Sequence, residues 1–532
     1  MQSFSNTGYP DTRPYVNEAR LSRVIHEGRF AGGIAASGQT AAFGGNLITR
    51  DACRMMRDVV RRYPWMVREL LGLLPRFQGE EVNSLTNEFP GAMPHQLFRE
   101  VIAGRYLPED RVADAEYWTR KWRIPFVEDP IMGHWFVVYN SSDAPPLYLI
   151  ALAEFVQSYG RDVLADKYRH HQTGEVRTVS QAAHKCIDFM TGMIDCLYRV
   201  PSTNPYQTSP SGVMRDGFDA YYRPVDDQIE PIDYSLVAYL ENQALVHEAL
   251  TLAATVIFPD DPRAGEWLVV GRAVRDAALA KFWMDDLRFF CPAIDKAGQV
   301  RLESNAALEL LNGPFFRDVA DGPDLISALV LWGFDPENVL TPIGPRMISV
   351  KHSANEGLYY GYQSTGAVWS VTDGIFAKGL RHHGLYPLSY DQGVGRLLGW
   401  LERAREVVEL AYVDRTTNQP CYYPYIQQIR AKGATVIAAV EPGQLNQGWG
   451  ATAGLHEIWE NELGRPDTVG WRRVLSAQAL QLARLVPAAA SGEPEGHFYI
   501  DSDEGWRLRE ERARPFGFTF DDGRQRRDTL SV

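Results

Sequence analysis

Arg215-Asp216-Gly217-Phe218-Asp219-Ala220-Tyr221-Tyr222-Arg223 packs two carboxylates, two arginines and three aromatic rings into nine residues, just ahead of an apolar stretch, 234–257, with helical periodicity. Read as a loop that delivers side chains to the start of a helix, it makes the chain a series of helices joined by long, chemically loaded loops. Gly217 permits a tight turn. The aromatics supply flat apolar faces, and Arg223, four residues after Asp219, can orient a carboxylate through paired hydrogen bonds. The same two aspartates would also serve as turn and helix-cap residues with solvated arginines, so the rest of the chain has to decide.

Working outward, apolar residues recur at helical spacing over 51–63 and 65–77, interrupted by Pro64, and over stretches near 95–104, 109–122, 178–198, 263–284, 303–312, 322–333, 371–383, 391–412, 445–461 and 470–485. Gly133 to Pro146 reads as a loop capping an apolar helix over 145–158. Asp143 stands where an N-cap belongs, and Pro145 and Pro146 are tolerated in a first helical turn. Strand-like alternation is rare, apart from short pieces such as Ala434 to Val440. Roughly a dozen helices with long loops predict an all-α fold, a toroid of paired helices with the loops forming a pocket at one end. The expected layout is an irregular lead-in over 1–45, one helical unit over 46–490, and a charged, Gly-containing tail over 491–532 packed on it. No period suits a tetratricopeptide or HEAT array, and an irregular helical domain would share these periodicities.

The chain has 532 residues, 45% hydrophobic and 23% charged, as in an ordinary globular protein, with 11% aromatic. A net charge of −13 with no long basic run argues against a nucleic-acid or anionic-membrane surface. Cys53, Cys186, Cys196, Cys291 and Cys421 are scattered and never form a CxxC, which fits reduced thiols in a cytoplasm better than a disulfide scaffold or zinc ribbon. The amino terminus lacks signal-peptide character, and no apolar run reaches the length of a membrane span. His456-Glu457-Ile458-Trp459-Glu460 lacks the second histidine of a zinc protease motif, and the pairs His170-His171 and His382-His383 have no ligand at metal spacing. No metal and no cofactor is expected.

Five loop stretches, in order, resemble the inverting glycosidases of the α,α-trehalase, processing glucosidase I and mannosylglycerate hydrolase clan, with the bacterial amylo-1,6-glucosidase domains. Gly217, Phe218, Asp219 and Arg223 fall on the acid motif, a turn of Gly, aromatic and Asp followed four residues later by Arg. Thr49-Arg50-Asp51 is similar to the Arg-Asp that opens the first barrel helices. Tyr139-Asn140-Ser141-Ser142-Asp143-Ala144 resembles a Tyr-x-Ser-x-Asp-Ala segment, and Tyr362-Gln363-Ser364-Thr365-Gly366-Ala367-Val368-Trp369 a Tyr-His-x-Gly-x-Val-Trp segment with Gln363 in place of His. Glu441-Pro442-Gly443-Gln444-Leu445-Asn446-Gln447-Gly448-Trp449 resembles the segment that carries the base. The large amino-terminal β-domain of many relatives has no counterpart here.

The resemblance implies an (α/α)6 toroid and an inverting, exo-acting α-glycosidase that removes a terminal sugar, usually glucose, from a small glycoside. Asp219 would be the general acid and Glu441 the general base, on opposite faces of the sugar and roughly 6.5–9.5 Å apart to admit a water. Arg50, Asp51, Asp143, Asp216, Arg223 and Gln363 would hydrogen-bond the substrate, and Trp135, Tyr139, Trp369 and Trp449 would line or stack on it. A phosphorylase, an epimerase or a noncatalytic sugar-binding protein could use the same toroid, and Trp369 and Trp449 would serve equally as core. The expected partner is a small carbohydrate, and the oligomeric state is left open.

Overall fold

The computed structural model describes residues 29–30, 33–34, 47–84, 86–99, 126–129, 133–202, 220–225, 228–352, 365–399, 401, 409–414, 417–418, 420–421, 427–431, 434–438 and 448–463. Its helices are α1 (Thr49–Val59), α2 (Pro64–Leu73), α3 (Ala144–Tyr159), α4 (Val179–Gly192), α5 (Leu240–Leu252), α6 (Ala264–Phe282), α7 (Gly322–Gly333), α8 (Ser370–His382), α9 (Tyr386–Tyr390) and α10 (Gly448–Leu463), with a 3-10 segment over Asn305–Leu311.

Local signals account for several of these boundaries. Pro64 opens α2 at a first-turn position that needs no N–H, and Pro145 and Pro146 do the same in α3. Thr178 caps α4 through a reciprocal capping box with Gln181. Gly160 ends α3 at φ 87, which a residue without Cβ adopts at no steric cost.

Among the described residues, α1 packs against α3 and α10, α3 against α5, α5 against the 305–311 segment, that segment against α8, and α8 against α10. All but α10 are followed in the chain by a described helix that packs on them: α2 on α1, α4 on α3, α6 on α5, α7 on the 305–311 segment, and α9 on α8. The partner expected for α10, over 470–485, lies outside the described residues, as does the expected helix over 109–122.

Charge ties the helices together from the inside. Arg57 Nε donates to Glu154 of α3 at 2.8 Å and its Nη2 to Glu248 of α5 at 3.2 Å, while Arg54 Nη2 donates to Glu309 at 3.0 Å. Asp58 accepts from Lys378 of α8 and, at 2.8 Å, from Thr452 Oγ1 of α10. The second and third turns of α1 thus reach every other helix of the set, and each of these buried groups has a partner of opposite formal charge, which offsets the cost of removing it from water.

Two expectations are corrected. Residues 95–104 read as helical, but Gln96–Arg99 form a strand, because Leu97 is buried between Leu47 of β1 (Leu47–Ile48) and Val137. In the sheet β1 is followed by β2 (Gln96–Arg99), β4 (Gly133–Val138) and β3 (Phe126–Asp129), all antiparallel. The helix expected over 391–412 is a π-helical segment over Asp391–Leu398, and Leu410–Val413 is a fully buried strand paired with Ala367–Trp369. The expected strand near 434–440 is present as Ala434–Ala438. The sheets and hairpins are short insertions between helices, so the fold remains predominantly helical.

Candidate active site

First turns of neighbouring packed helices touch in two groups, α1 with α3 and α5, and α8 with α10. Arg50, in the first turn of α1, donates through Nε to Asp143 Oδ2 at the start of α3 at 2.7 Å. Asn242, in the first turn of α5, donates through Nδ2 to Ser142 Oγ at 2.7 Å. The Trp369 ring, at the start of α8, lies 5.5 Å from that of Trp449 in α10, tilted by 48°. These contacts join chain segments 93 and 100 residues apart through side-chain hydrogen bonds.

Asp143 occupies the N-cap position of α3, as its sequence position predicts, but its carboxylate does not cap the helix. It turns to Arg50, and Ser141 Oγ donates to Oδ1 at 2.5 Å. Arg50 and Asp143 are both almost fully buried, at 3% and 1% exposure, as is Asp51 at the third position of α1. The other fork of Arg50, Nη2, lies 3.3 Å from His95 Nε2, and His95 Nδ1 lies 2.6 Å from Asn140 Oδ1. Burial, then the charge of Arg50, pushes the His95 imidazole down to about 4, so the ring is neutral near neutral pH. Tyr198 Oη donates to the Ser142 carbonyl at 2.9 Å, fixing the loop from beneath.

Other expected site residues have structural partners. Tyr139 is buried and donates from Oη to the Phe77 carbonyl at 2.9 Å. Trp135 lies on β4, in register with Arg99 and Val127. Arg223 grips Asp295, Nη1 to Oδ2 at 2.7 Å and Nη2 to Oδ1 at 2.5 Å, and donates to the Gly298 carbonyl at 3.0 Å. The carboxylate that Arg223 orients is therefore one that the local sequence does not reveal. Burial acts to raise the Asp295 pKa, but Arg223 and the amides of Asp233 and Ala297 outweigh it and lower it. Next to Arg223, Tyr222 Oη donates to the His352 carbonyl at 2.9 Å, and Tyr221 is buried 5.2 Å from the Tyr239 ring at the N-cap of α5. Asp216, Asp219, Gln363 and Glu441 lie outside the described residues.

Four residues of this end escaped the sequence reading as functional candidates: His95, Asn140, Asn242 and Asp295. Asn140 stands inside the 133–146 loop of the sequence analysis, and His95 at the edge of the 95–104 stretch that reads as helical. Asn242 and Asp295 are visible only once the helices and the hairpin are in place. At the first turns of three helices, buried polar atoms have no hydrogen-bond partner among the described residues: Thr49 Oγ1, Asn242 Oδ1 and Trp449 Nε1. Such atoms are costly unless a ligand or water completes them. Among the described residues no group of His, Cys, Asp and Glu is arranged to hold a metal, and no helix is long and apolar enough to cross a membrane.

No protein-family model and no curated protein sequence matches the chain. Among solved structures, the fold is similar to the glycoside hydrolase family 63 mannosylglycerate hydrolase of Thermus thermophilus. In the complex with Tris and D-glycerate the TM-score is 0.51 at 14% identity, over 83% of this chain and 99% of that one. In the complex with Tris it is 0.51 at 15% identity over the same shares. A structure described as a wild-type glycosidase aligns over 86% of this chain and 99% of its own, at 12% identity and a TM-score of 0.47. The chain thus has a fold like that of a family 63 glycoside hydrolase.

Proposed function

We propose that the protein is an inverting, exo-acting α-glycosidase that removes a terminal sugar, most simply glucose, from a small α-linked glycoside. The observation that carries this reading is the pairing of Arg50 with Asp143 at the first turns of α1 and α3, and of Trp369 with Trp449 at the first turns of α8 and α10, in a fold like that of a family 63 glycoside hydrolase. The succession of packed helices, all but α10 with a second helix behind them, supports an (α/α)6 toroid, and the proposed layout is that toroid over 46–490 with a tail over 491–532. Free cysteines agree with a cytoplasmic setting.

In the proposed reaction the Asp219 carboxylic acid gives its proton to the glycosidic oxygen as the bond from that oxygen to the anomeric carbon breaks. Glu441 takes a proton from water, whose oxygen bonds the same carbon from the opposite face. The products are a free sugar of inverted configuration and the released alcohol. Arg223 holds Asp295 through both of its terminal nitrogens. Arg50 and Asp143 act as one rigid donor and acceptor pair for vicinal hydroxyls.

A panel of α-linked disaccharides and sugar-glycerates, assayed for released reducing sugar, identifies the substrate. Asp219→Asn and Glu441→Gln should each lower kcat by at least ~10³-fold, with unchanged circular dichroism. Near-wild-type turnover by either variant would refute that residue's role.

A further inference from the structure

His95 is held at two levels. Its backbone N–H donates to the Val138 carbonyl at 2.6 Å, and its own carbonyl accepts from the N–H of Thr49, the residue before Arg50, at 2.9 Å. Its ring meets the Arg50 side chain through Nε2. A guanidinium has only donors, so Nε2 must present its lone pair, and the single proton of the neutral ring is then on Nδ1. That proton points to Asn140 Oδ1, which fixes the Asn140 amide with its oxygen toward the ring. The order of bonding is therefore Asn140, His95, Arg50, Asp143, Ser141, each step with one donor and one acceptor.

We infer that His95 is a positioning residue for the proposed sugar site: its neutral, Nδ1-protonated imidazole and the Asp143 carboxylate together set the plane of the Arg50 guanidinium. This rests on the reading that Arg50 meets the substrate. The Asp143 bond engages Nε and the His95 contact engages Nη2, two separate atoms of one planar group, so the pair together orients its plane. The charged groups acting on the ring are Arg50 from α1 and Asp143 from the start of α3, with neutral Asn140 on its far side. Protonation at Nε2 would set a donor against a donor beside a fixed cation, and the guanidinium would lose its second bond.

Two substitutions separate positioning from packing. His95→Gln places a carbonyl oxygen toward Arg50 and an amide toward Asn140, whereas His95→Leu keeps bulk without either bond. On the glycoside selected by the panel, kcat/KM of the Leu variant should fall on the order of 10²-fold, the scale of a slightly misplaced site group, and the Gln variant should recover to within about tenfold of wild type. The wild type should show a fall in kcat/KM near pH 4 that the Gln variant lacks. A folded Leu variant within twofold of wild type, or a folded Gln variant no better than the Leu variant, overturns the inference. For a Leu variant that does not fold, nitrogen-15 NMR of histidine-labelled wild-type protein decides. An Nδ1-protonated neutral ring whose signals move in His95→Gln-sensitive fashion on sugar binding supports the role, and an Nε2-protonated ring overturns it. The NMR tautomer does not depend on hydrolysis, so a protein inactive on every glycoside defeats the proposed function while the Arg50–His95 bond is still tested.

Discussion

Glu248 and His95 are both buried, and burial moves their protonation in opposite directions. The Glu248 carboxyl is pushed up to about 7, first by burial and then by Glu154 and Glu309, against the pull of Arg57. Its folded value lies above the ordinary 4.5, so the folded protein keeps a proton that the unfolded chain has lost. The stability this supplies is present below about pH 4.5 and is lost as pH rises through about 7. For His95 the folded value, about 4, lies below 6.5, so the unfolded chain takes its proton first. Its contribution is present above about pH 6.5 and is lost as pH falls toward 4. The two slopes oppose each other between these limits, and only variants separate them. In urea titrations Glu248→Gln should gain stability relative to wild type between pH 5 and pH 8, and His95→Gln between pH 7 and pH 4.5. Each gain should be on the order of 1–3 kcal/mol. A pH-independent difference in either pair would show that the group titrates alike in both states.

At the scale of elements, close approach sets what the helix contacts tolerate. A Cβ placed on Gly374 of α8 would lie 2.9 Å from Ala453 Cβ in α10. Gly374→Val should therefore destabilise by roughly 2–3 kcal/mol through overpacking, read as a lowered melting temperature, and Ala453→Gly in the same chain should restore part of it. Equal losses in the single and double variants would mean that the two helices do not meet there. The same contacts explain what the sequence disclosed. α3 was legible because Asp143, Pro145 and Pro146 mark its start and unbroken apolar residues follow, and α1 because its apolar spacing ends at Pro64. Gln96–Arg99 was not legible, since four residues with two apolar ones fit a helix or a strand equally, and the pairing with Leu47 and Val137 decides. In the site, Arg50 and Asp143 were named as separate substrate contacts, while their mutual bond is a tertiary fact. Arg223 was read as orienting a nearby carboxylate, yet its partner Asp295 is 72 residues away, beyond the reach of any local motif.

For the whole molecule, the chain spends buried charge to hold its helices in register. Arg54, Arg57 and Asp58 of α1 pair with residues on α3, α5, the 305–311 segment, α8 and α10, so one helix organises the interior while its first turn carries Arg50 and Asp51 to the site end. That division leaves the loops free to differ from those of other proteins with this fold, consistent with 14% identity across 83% of the chain. In the proposed reaction an acid and a base on opposite faces of the sugar deliver water to the face opposite the bond that breaks. The configuration of the first-formed product tests this most directly. Time-resolved proton NMR of the wild-type protein acting on its α-linked substrate should show the β-anomer of the released monosaccharide appearing first, with the α-anomer following by mutarotation; the α-anomer appearing first would contradict the account.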